Sequence, residues 1–87
     1  MITTDVLPRM VRQVCCSHGV SVITLVGYHN FALQVEKTQK LLMGNELVAA
    51  VASLVERYVK HGLEREVLED IAFNVFNVSP PKPEVQL

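Results

Sequence analysis

Apolar positions along this chain recur with two different periods. In residues 4–18, Val6, Met10 and Val14 form one row and Val11 and Cys15 an adjacent one, while Arg9, Arg12, Gln13 and Ser17 take the other side. That i, i+3, i+4 spacing predicts an amphipathic helix. Pro8 is tolerated only near a first turn, which sets the start at residues 4–7. Gly19, directly after His18, suits the left-handed residue that ends a helix.

Beyond Gly19 the pattern changes. Residues 20–26 (VSVITLV) are short, apolar and rich in β-branched side chains, which predicts a strand. Residues 31–36 alternate, with Phe31, Leu33 and Val35 on one side and Ala32, Gln34 and Glu36 on the other. Gly27-Tyr28-His29-Asn30 between them reads as a hairpin loop. Residues 37–43 fit either a helix entered through Thr38 or a turn and a third strand over 40–43. The break at Gly44-Asn45 favours the strand.

From residue 45 to 61 the helical period returns. Leu47, Val51, Leu54 and Tyr58 form one row, with Val48, Val55 and Val59 beside it. Lys60-His61-Gly62 repeats the earlier helix ending, and a third helix follows from 63 or 64 to 77. The predicted order is therefore α-β-β-(β)-α-α: an α+β fold, with helices on one face of a small antiparallel hairpin or meander. It forms a single domain over residues 1–78. Prolines 80, 81 and 83 make residues 79–87 an extended or disordered tail.

Composition sharpens one point. Of 87 residues, 49% are apolar and 20% charged, which excludes intrinsic disorder and exceeds what a monomer this small hides. The excess is plainest in the third helix. Val67, Ile71, Val75 and Val78 form a stripe joined by Leu68 and Ala72, while Phe73 and Phe76 open a second apolar side. A helix apolar on two sides is either central in a larger core or shared between subunits. For so short a chain we expect the second: a two-fold interface carried by Phe73, Phe76, Leu68 and Ala72. The open edges of a small sheet give a further reason to pair.

Charge narrows the partners. The net charge is -1, and the eight basic residues are scattered along the chain. They make no stripe for phosphate contacts. The helix ending at His61-Gly62 and its successor have a faint helix–turn–helix look, but Glu64, Glu66, Glu69 and Asp70 would repel a DNA backbone. No apolar run approaches the ~20 residues of a membrane span, and residues 1–4 lack the basic start of a signal peptide. Cys15 and Cys16 are adjacent, a spacing that strains a disulfide. A reducing cytoplasm is the expected compartment.

Candidate chemistry is thin. Cys15, Cys16 and His18 match no metal-ligand spacing. Cys15 falls on the apolar side of its helix, and Cys16 lies at the carbonyl end, the wrong end to activate a thiolate. The acidic residues suit the start of the third helix through its dipole, with Arg65 and Glu69 as an i, i+4 pair. No phosphate loop or nucleophile elbow is present. No catalytic, metal or cofactor-binding residue is predicted. The expectation is a non-enzymatic protein–protein interaction module, a homodimer that modulates a protein partner. Tyr28 and His29 at the loop tip, with Glu66, Glu69 and Asp70, are the candidate contacts. A subunit of a larger hetero-complex and a nucleic-acid-binding regulator are the alternatives.

Overall fold

A computed structural model of the protein describes residues 7–80. Four helices make up 81% of them: α1 (Leu7–Ser17), α2 (Val22–Leu41), α3 (Gly44–Lys60) and α4 (Arg65–Phe76). Among the described residues there is no strand, so the α+β expectation is overturned. Residues 4–6, where the first helix was expected to begin, and 81–87 of the predicted tail lie outside the described residues.

The correction is confined to one stretch. Residues 22–26 of the first expected strand, the loop after it, the whole second strand and residues 37–41 form the single helix α2. Tyr28, Phe31, Ala32 and Val35 explain why. They are spaced i, i+3, i+4, i+7, and all four are buried in the shared core. The alternation of Phe31, Leu33 and Val35 is compatible with this, because Phe31 and Val35 are also one helical turn apart. Thr38 sits in the last turn and starts no helix; its Oγ1 donates to the Gln34 carbonyl.

Gly27 is helical rather than a turn. A Cβ built there would meet the two δ-methyls of Leu63 at 3.2 and 3.3 Å. Its missing side chain therefore lets the turn after α3 pack onto α2. The stop signals that do operate are Gly19 and Gly62, with φ of 69° and 91°. At each, the N–H one residue further on returns to a carbonyl in the last helical turn (Val20 to Cys15, Leu63 to Tyr58), which satisfies groups the helix end leaves open.

Two polar clamps fix the centre of the bundle. The Tyr28 hydroxyl accepts the Glu64 N–H at the start of α4, and Gln39 Nε2 donates to the Phe76 carbonyl at its end. So α2 and α4 run side by side in the same sense. α1 and α3 each pack against both of them and do not touch each other. The core lies between these four helices, with Phe31 meeting the edge of Tyr58 at 5.5 Å.

Candidate interaction surface

α4 turns its apolar stripe inward, and this decides the fate of the expected interface set. Leu68, Ala72 and Phe76 are at most 4% exposed and belong to the chain's own core. They are not available to a second chain. Phe73, 53% exposed, is the member of that set left at the surface.

The helical step places Glu66, Glu69 and Asp70 seven, four and three residues before Phe73, on the same outward face. Together with His18, Ser79 and Pro80 they line a cleft of about 330 Å³. The three candidate acidic contacts and Phe73 are thus brought together. Tyr28 and His29 are not part of this cleft. Tyr28 is buried and spent on the Glu64 N–H. His29 is half-buried, and its Nδ1 has no partner among the described residues.

His18 joins the cleft from the turn after α1, where sequence reasoning gave it no role beyond the helix ending. Its Nε2 donates to Asp70 Oδ2 over 2.5 Å, across 52 residues of sequence. Both side chains are partly exposed, so the pair is worth little in stability. Its effect is positional: it ties the end of α1 to the middle of α4. Arg65 differs from expectation. It reaches Glu56 on α3 at 3.9 Å rather than Glu69, and among the described residues neither Glu66 nor Glu69 has a cationic partner.

A His–Asp pair with a hydroxyl in the same cleft is raw material for acyl transfer. That chemistry requires the hydroxyl bonded to the imidazole and donors aimed at an oxyanion. Ser79 makes no such bond to His18. Cys15 is fully buried, and burial, with the neighbouring Cys16 adding to it, pushes its thiol up to about 11. At neutral pH it is a packed thiol, unfit as a nucleophile. No three His, Cys, Asp or Glu side chains among the described residues converge as metal ligands.

A second exposed apolar surface lies where the sequence reading placed the first strand and its open edge. Val22, Ile23 and Val26, in the first turns of α2, are 79%, 89% and 66% exposed. The signal for it was present: no Asp, Glu, Lys or Arg occurs between Arg12 and Glu36. Among the described residues no helix is long and apolar enough to cross a membrane. No protein family, curated protein or solved structure matches the chain.

Proposed function

We propose that the chain is a non-enzymatic protein–protein interaction module that pairs with a second copy of itself through the first turns of α2. The carrying observation is the uncovered triplet Val22, Ile23 and Val26. Adjacent exposed β-branched side chains on one helix end need cover from water. A two-fold contact sets a patch against its own copy. This stretch bears no formal charge, so its self-contact opposes no like charges. The α4 face is unsuited to that role, since its copy would set three carboxylates against three. The free adjacent thiols Cys15 and Cys16 suit a reducing compartment, and we place the module in the cytoplasm.

Sedimentation velocity tests the pairing. The wild type is expected to run as a dimer at ~100 µM, and Ile23→Glu, which charges the contact, as a folded monomer. A monomeric wild type at that concentration, or an unchanged dimer in Ile23→Glu, overturns the proposal.

A further inference from the structure

The cleft on α4 calls for a different occupant from the α2 patch. One of its lining residues is Phe73, an aromatic ring held half out of the protein, although its chain neighbour Ala72 and Phe76, one turn further on, are packed in the core. Ala72, Phe76 and the left-handed Asn77 fix the helix beneath the ring, and the chain then returns through Ser79 and Pro80 to wall the cleft. Phe73 is therefore an apolar surface on a fixed helix, the kind of feature on which one docked side chain contributes most of a contact. Glu66, Glu69 and Asp70 line the same cleft, and the group facing them from another element is His18, hydrogen-bonded to Asp70.

This combination selects by charge. A second copy docking face to face would bring acidic groups together, and an anionic lipid surface or a nucleic-acid backbone would meet the same repulsion. A cationic segment would meet complementary charge on several sides while its apolar side chain covered Phe73. We propose that the cleft over Phe73 docks a segment of a partner protein in which an apolar anchor is flanked by Lys or Arg. The inference rests on reading the chain as an interaction module, and it is independent of self-pairing through α2.

The test uses the full isotope-labelled chain, titrated with a short Lys/Leu peptide and with a Glu/Leu peptide of the same length. We expect saturable binding of the Lys/Leu peptide alone, weakened by salt, with amide shifts centred on His18, residues 66–73 and Ser79. Phe73→Ser and, separately, the double change Glu66→Lys with Glu69→Lys should each weaken it by about tenfold or more. Glu66 and Phe73 are exposed and Glu69 is half-buried, so these changes are expected to leave the fold intact. Equal binding of the two peptides, shifts centred on residues 22–26, or full affinity in Phe73→Ser would overturn the proposal. So would concentration-dependent shifts at Phe73 without peptide, which would assign the face to a second copy. Loss of peptide binding beside an intact dimer counts against the cleft alone, and peptide binding by a monomer counts against self-pairing alone.

Discussion

Two phenylalanines three residues apart on one helix have opposite environments. Phe76 fills the core and Phe73 stands out of it, so truncating them should cost very different amounts. Phe76→Ala is expected to lose about 3–5 kcal/mol of stability, the usual range for a buried phenylalanine. Phe73→Ala should stay within about 0.5 kcal/mol of wild type, as exposed substitutions do. Urea denaturation of the two variants checks this, and equal losses would place Phe73 in the core. Cys15 gives a second expectation at this scale. Its thiol is raised from 9.0 to about 11 by burial and by its neighbour, so the unfolded chain ionises first as pH climbs. The stability held by the neutral thiol is whole below pH 9 and declines between 9 and 11. Substituting Cys15 by alanine should flatten that decline in pH-dependent denaturation curves, and neutral-pH reaction of the native protein with a thiol reagent should be dominated by the exposed Cys16.

At the scale of the element, α2 is where sequence and fold part company. Its first half is apolar on both its inward and its outward sides, so no single stripe announces a helix. A short β-branched run and a glycine then mimic a strand and its turn, because strand and buried helix are not distinguished by such runs alone. What settles the matter is packing across the bundle: a glycine that Leu63 needs bare, and a tyrosine whose hydroxyl accepts the N–H of Glu64, the residue that caps the start of α4. The contrast is open to a simple substitution. In a hairpin, Asn30 would sit at the loop, where proline is tolerated; in α2 it is mid-helix. Asn30→Pro is therefore expected to cost about 3 kcal/mol or to abolish cooperative unfolding. Thermal unfolding followed by far-ultraviolet circular dichroism reads it, and an unperturbed transition would contradict a continuous α2.

For the whole molecule, the apolar excess in the composition was legible before any coordinates, but its address was not. Residue spacing identified the helical stretches of α1, α3 and α4 and the glycine stops after α1 and α3, because each follows from a local period or from end chemistry carried by adjacent residues. The tertiary structure decided the rest. It turned Phe76, Leu68 and Ala72 inward and left Phe73 outside, since which flank of a two-sided helix is covered depends on the neighbours that arrive there. It brought His18 to Asp70 across 52 residues, a pairing no local pattern encodes. It also overturned the strands expected over 20–26 and 31–36 and made residues 22–41 one helix, because burying Tyr28, Phe31, Ala32 and Val35 together requires three other helices already in place. Local period and end chemistry are properties of a segment; burial is a property of the assembled bundle.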